Sequence, residues 1–127
     1  MKFLLDTQAL IFAGSDKLPK TASSALVSSS NQIYFSTVSL WEIGIKSSLG
    51  KLIFKRNLIE YKDLLIDDLG FLFLQIDVSH IEKAVHLPWH HKDPFDRLLI
   101  GQALIEGLGV IAHDAQFDRY GCKRVWD

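Results

Sequence analysis

A chain of 127 residues, 48% of them apolar, is sized for one domain, residues 1–127, with a real hydrophobic core. Its 14 basic and 15 acidic residues nearly balance, which excludes a global cationic field for nucleic acid and requires any anionic partner to be bound locally. The single cysteine, Cys122, excludes an internal disulfide framework, and no apolar run approaches the roughly 18 residues of a membrane span.

The opening MKFLLDTQALIFAG is interrupted at Asp6, short of a signal-peptide core, so a cytoplasmic protein is expected. KFLL reads as a buried strand that leaves at Asp6, with a helix following from Thr7 to about Ala13. A weakly amphipathic helix is expected near Lys20 to Ser29, then a strand at QIYFS, rich in β-branched and aromatic residues. STVSLWEIGIKSSLGK is a helix with both ends marked, by Ser or Thr caps and by Gly50. KLIFKRN admits no assignment, whereas LIEYKDLLIDDLG has helical spacing as far as Gly70.

FLFLQID reads as another buried strand, and SHIEKAVHL as a short helix closed by Pro88. The loop PWHHKD leads into a helix from Pro94 to about Glu106, apolar on nearly every side and therefore central. LGVIAHD is a strand ending at Asp114, followed by a helical turn and a last short strand at KRVWD. This alternation predicts an α/β fold, a parallel sheet covered on both faces, whose functional groups collect beyond the carboxyl ends of the strands. Asp6 and Asp114 both fall there.

Four acids are flanked by apolar sequence: Asp6, Glu42, Asp96 and Asp114. Each has a structural explanation. Asp6 and Asp114 suit turns or caps; in HHKDPFDRLLIGQA, Asp93 suits the N-cap, Pro94 the first helical position and Asp96 the third. Semi-buried carboxylates repel one another, however, unless a cation lies among them. Mg²⁺ and Mn²⁺ take oxygen ligands, so this set, without cysteine ligands, points to metal-assisted phosphodiester hydrolysis. Thr7 and Ser39, the latter one turn before Glu42, are placed to support the carboxylates by hydrogen bonds.

His90 and His91 read as ordinary loop residues, because neighbours on one loop rarely converge on one ion. Cys122 carries no sign of a nucleophile, and GLGV lacks the lysine and spacing of a phosphate loop. Cations for a nucleic-acid backbone cluster at Lys46, Lys51, Lys55, Arg56 and Lys62, with Arg97 beside Asp96; Lys46 and Arg97 are the candidate phosphate contacts. Trp89 reads as packing over a helix end, with stacking on a base or on a partner protein as the alternatives.

LLDTQALIF, VSLWEIGIKSSLGKL, HKDPFDRLLIGQA and GVIAHDAQFDRYG, in that order across essentially the whole chain, resemble the PIN-domain ribonucleases of the VapC toxin type. The resemblance implies a three-layer α/β/α sandwich with a mainly parallel five-stranded sheet. It also implies an acidic site for Mg²⁺ or Mn²⁺, endonucleolytic cleavage of RNA, a homodimer, and inhibition by a small antitoxin whose peptide fills the groove. The family's acids fall on Asp6, Glu42, Asp96 and Asp114, which makes Asp93 the cap and Asp96 the ligand. Two departures stand out: Ala112 where members often carry Ser or Thr, a loss that bears on the orientation of Asp114, and Gly101 in place of a usual alanine.

The main expectation is a metal-dependent endoribonuclease, the toxin of a toxin-antitoxin pair, with Asp6 and Asp96 as principal ligands and Glu42 and Asp114 completing the site. The alternative is a catalytically silent PIN-fold module for protein interaction. A phosphoacceptor or phosphatase ranks last, because Asp6-Thr7-Gln8 lacks the second acid of a D-x-D motif.

Overall fold

KFLL forms β1 (Lys2–Leu5), in which Leu4 and Leu5 are wholly buried, as a strand covered on both faces requires. The computed structural model describes residues 1–127. After β1 come α1 (Thr7–Phe12), α2 (Lys20–Val27), β2 (Gln32–Ser36), α3 (Thr37–Ser48) and α4 (Leu58–Asp67). Then follow β3 (Leu72–Leu74), α5 (Val78–Val85), α6 (Pro94–Glu106), β4 (Gly109–Ile111), a 3-10 turn (Ala115–Tyr120) and β5 (Arg124–Val125). No helix is long and apolar enough to cross a membrane.

The five strands lie in the order β3-β2-β1-β4-β5, and every pairing is parallel. The chain winds outward from β1 in one direction through β2 and β3, and in the other through β4 and β5. The sheet order therefore reverses between β1 and β4, which opens a crevice beyond their carboxyl ends. One core layer, including Phe3, Leu5, Leu10, Phe35, Ile43 and Leu65, packs one face; Leu4, Val38, Leu99, Ile100, Val110 and Phe117 pack the other. Together they make the α/β/α sandwich expected.

The expected elements form, with adjustments: LGVIAHD, expected as a strand to Asp114, is a strand only over Gly109–Ile111. FLFLQID yields only three strand residues, because Asp77 already caps α5: its carboxylate accepts from Ser79 N–H, and His80 Nδ1 accepts the Asp77 N–H. KLIFKRN is irregular, and Asn57 at its end caps α4 through Ile59 and Glu60 N–H.

Helix α6 begins as its sequence predicts, with Asp93 Oδ1 accepting from Phe95 N–H (2.8 Å) and Asp96 N–H (3.3 Å), and Pro94 in the first turn. It is central, holding Leu99, Ile100, Gly101, Gln102 and Ala103 in the interior. Gly101 allows α5 to lie against it, since a Cβ there would meet His80 O at 2.8 Å. A buried Ser36–Gln102 hydrogen bond of 2.6 Å holds α6 at the carboxyl end of β2.

Candidate metal centre

The crevice collects the four acids from four different elements. Asp6 directly follows β1 and caps α1, its Oδ1 accepting from Ala9 N–H at 2.8 Å. Glu42 comes from the inner side of α3, where it is only 5% exposed. Asp96 rides the first turn of α6, whose dipole favours an anion. Asp114 follows β4 and caps the 3-10 turn, with Oδ1 accepting from Gln116 N–H at 2.9 Å. All four line one cavity of about 380 Å³, together with Asp93, Thr7, Lys46 and Lys51. Capping and site placement coincide, because each cap engages one carboxylate oxygen and leaves the other.

The cavity is electrostatically unbalanced. Burial pushes Asp6 up to about 7, against the pull of the Ala9 N–H, and the charges of Asp96, Glu42 and Asp114 add to the rise. Asp96 is pushed up to about 6, first by burial and then by Asp93, while the hydrogen bond from His91 lowers it. Glu42 Oε2 pairs with Lys46 Nζ at 2.7 Å, a contact that raises the lysine pKa. Glu42 Oε1 is buried with no hydrogen-bond partner. An orphaned carboxylate oxygen is costly in a protein interior, and the lining carboxylates of this cavity outnumber its two lysines. An oxygen-rich donor set with an unused anionic oxygen fits a hard divalent cation.

Several side chains depart from the sequence reading. Thr7 and Ser39 do not support the carboxylates: Thr7 Oγ1 donates to Ser39 Oγ at 3.0 Å, which ties α1 to α3. Arg97 is not a phosphate contact. It is 4% exposed, and its guanidinium donates to the carbonyls of Ala84, Leu87, Pro88 and His91 at 2.8–3.2 Å, with the Trp89 ring stacked 3.6 Å away. An arginine next to a site acid in sequence turns inward here because its fork satisfies a loop that would otherwise bury bare carbonyls. Trp89 covers that arginine, in keeping with its expected packing role.

His91 is no ordinary loop residue. Its Nε2 lies 2.8 Å from Asp96 Oδ2 and 3.4 Å from Asp114 Oδ2. No spacing rule announces this contact, because the Arg97-held loop folds back over the start of α6. Asp114 is thus held by the Gln116 N–H, with His91 Nε2 close by at 3.4 Å. Cys122 is buried, and burial pushes its thiol up to about 11, the state of an inert core residue.

Residues 3–122 match the PIN domain family. This chain belongs to the PIN domain family. PIN domains are generally nucleases. Among solved structures, this PIN domain is similar to a chain of VapBC2 from Rickettsia felis, crystallised with a promoter DNA fragment (TM-score 0.71, 17% identity, 100% of both chains covered). It is also similar to a chain of FitAcB from Neisseria gonorrhoeae (TM-score 0.63, 16% identity, 98% of this chain and 96% of that one). A chain of FitAB bound to an IR36 DNA fragment gives a TM-score of 0.64 at 15% identity, over 98% of this chain and 93% of that one. At such identities the likeness is one of fold. No curated protein sequence matches the chain significantly.

Proposed function

We propose that this PIN domain, residues 1–127 as one unit, is a Mg²⁺- or Mn²⁺-dependent endoribonuclease and the toxin of a cytoplasmic toxin-antitoxin pair. The observation that carries the reading is that Asp6, Glu42, Asp96 and Asp114 line one cavity at the switch point of the sheet, with Glu42 Oε1 buried and unpartnered. Asp6 and Asp96 are the principal ligands in this reading, with Glu42 and Asp114 completing the set. A bound divalent cation supplies Lewis acidity at a phosphoryl oxygen and lowers the pKa of a bound water.

The chain's own residues perform the rest. Lys46 and Lys51 on the cavity wall face an incoming phosphate and offset part of its charge. Trp41, 58% exposed beside Glu42 and edge-on to Phe95, offers a ring on which a base can stack. Asp93 holds the start of α6 and keeps Asp96 in place. The fold shared with VapBC and FitAB chains supports an antitoxin protein as partner. Exposed Ile81, Val85 and Trp89 offer an apolar surface of the kind that a second copy or an antitoxin covers.

The test is cleavage of a mixed RNA pool by antitoxin-free protein with Mg²⁺, Mn²⁺ or chelator. Wild type is expected to cut only with metal, Asp96→Asn to lose at least 100-fold, and Asp93→Asn to keep most activity. Folded wild type that binds metal yet cuts no RNA would favour the silent interaction module instead.

A further inference from the structure

We infer that His91 is a direct nitrogen donor to the cation of this centre, and that it makes the site prefer a transition ion such as Mn²⁺ to Mg²⁺. The inference rests on the metal reading above and deepens it. His91 Nε2 and one carboxylate oxygen each of Asp96 and Asp114 all lie within 4.8 Å of one another. The individual separations from Nε2 are 2.8 and 3.4 Å. Neighbouring donors around an octahedral ion, with bonds of about 2.1 Å, sit about 3 Å apart. The observed separations therefore suit one ion with little rearrangement.

The ring is delivered by fixed backbone. The His91 N–H donates to Tyr120 Oη at 2.8 Å, that hydroxyl donates to Pro88 O at 2.7 Å, and the His91 carbonyl accepts from Arg97 at 3.2 Å. Both sides of the residue are thus tied to the core, and its side chain is mostly buried over the acids. A histidine here needs a reason beyond neutralising Asp96, because a lysine or arginine pairs with a carboxylate at every ordinary pH. Glu42 lines the same cavity, and its buried Oε1 without a hydrogen-bond partner is an independent sign that a cation belongs there. Imidazole suits first-row transition ions, Zn²⁺, Fe²⁺ and Ni²⁺ above Mn²⁺, whereas Mg²⁺ strongly prefers oxygen, so a mixed set tilts the choice away from Mg²⁺.

The experiment is Mn²⁺ binding by the full chain, followed by electron paramagnetic resonance, with pulsed detection of nitrogen coupled to the bound ion. Wild type is expected to show a ¹⁴N coupling that converts to the ¹⁵N pattern when the protein is grown with ¹⁵N-histidine. His91→Gln is expected to lose the coupling and to bind Mn²⁺ at least about 10-fold more weakly, since even groups that only orient a ligand are worth about 10–100-fold, with Mg²⁺ affinity nearly unchanged. The labelled wild type answers the question even if the variant folds poorly. Bound Mn²⁺ with no nitrogen coupling, or a coupling that persists in folded His91→Gln, overturns this inference and leaves the oxygen site standing. Failure of folded wild type to bind Mn²⁺ overturns both.

Discussion

Asp6 is a helix cap and a candidate ligand at once, and those roles respond differently to substitution. Asn is also a good cap, so Asp6→Asn keeps an acceptor for the Ala9 N–H while removing a buried charge among like charges. The variant is expected to be more stable than wild type at pH 8 without metal, by roughly 1–3 kcal/mol, and to lose Mn²⁺ binding. Thermal unfolding and a Mn²⁺ titration read the two effects; a destabilised variant with intact binding would contradict both roles. The pH dependence follows from the same groups. Asp6 and Asp96 titrate near 7 and 6 in the folded chain, above the value of about 3.9 for a free aspartate. Their contribution to stability is therefore fully present below that lower value and is lost as pH rises through about 6 and then 7. Metal-free protein is expected to lose a few kcal/mol between pH 5 and 8, visible as a falling melting temperature. A flat or rising profile would mean that Asp6 and Asp96 are not buried as the structure places them.

At the scale of elements, the join between α5 and α6 depends on Arg97. Its four hydrogen bonds satisfy carbonyls from the end of α5 and from the loop that carries His91. Lysine keeps the charge but not the planar fork, so it cannot reach all four acceptors. Arg97→Lys is expected to cost roughly 2–4 kcal/mol and to weaken Mn²⁺ binding through the loosened loop, although Arg97 touches no carboxylate of the site. Denaturant unfolding and the Mn²⁺ titration check it; wild-type stability would show that the loop holds itself. The same region marks the limit of local reading. The caps at Asp93, Asp77 and Asn57 involve residues two or three positions apart, and at Asp93 the cap was legible. The direction of Arg97 was not, because the acceptors that draw it inward lie six to thirteen residues back, at the end of α5 and on the irregular loop after it.

For the whole molecule, a cation that binds only the folded chain stabilises it by mass action. At a free Mn²⁺ concentration 100 times Kd, the gain is about 2.7 kcal/mol. For a chain of this size that corresponds to a rise in melting temperature of about 10 °C. The rise is expected at pH 8, to vanish with chelator, and to be lost in Asp96→Asn; an equal shift in that variant would place the ion elsewhere.

The sequence by itself determined the element types, the helix caps, the apolar strands and the four acids that stand in apolar surroundings, because periodicity and capping act over a few residues. It also carried the family, through four separated motifs. What only the tertiary structure decided is convergence. Asp6, Glu42, Asp96 and Asp114 line one cavity because the sheet order puts the ends of β1 and β4 side by side, with α3 and α6 packed over that crevice. The same packing pairs Thr7 with Ser39, turns Arg97 inward and brings His91 onto Asp96. Strand order and burial direction depend on contacts between residues far apart in the chain, which no short window of sequence contains.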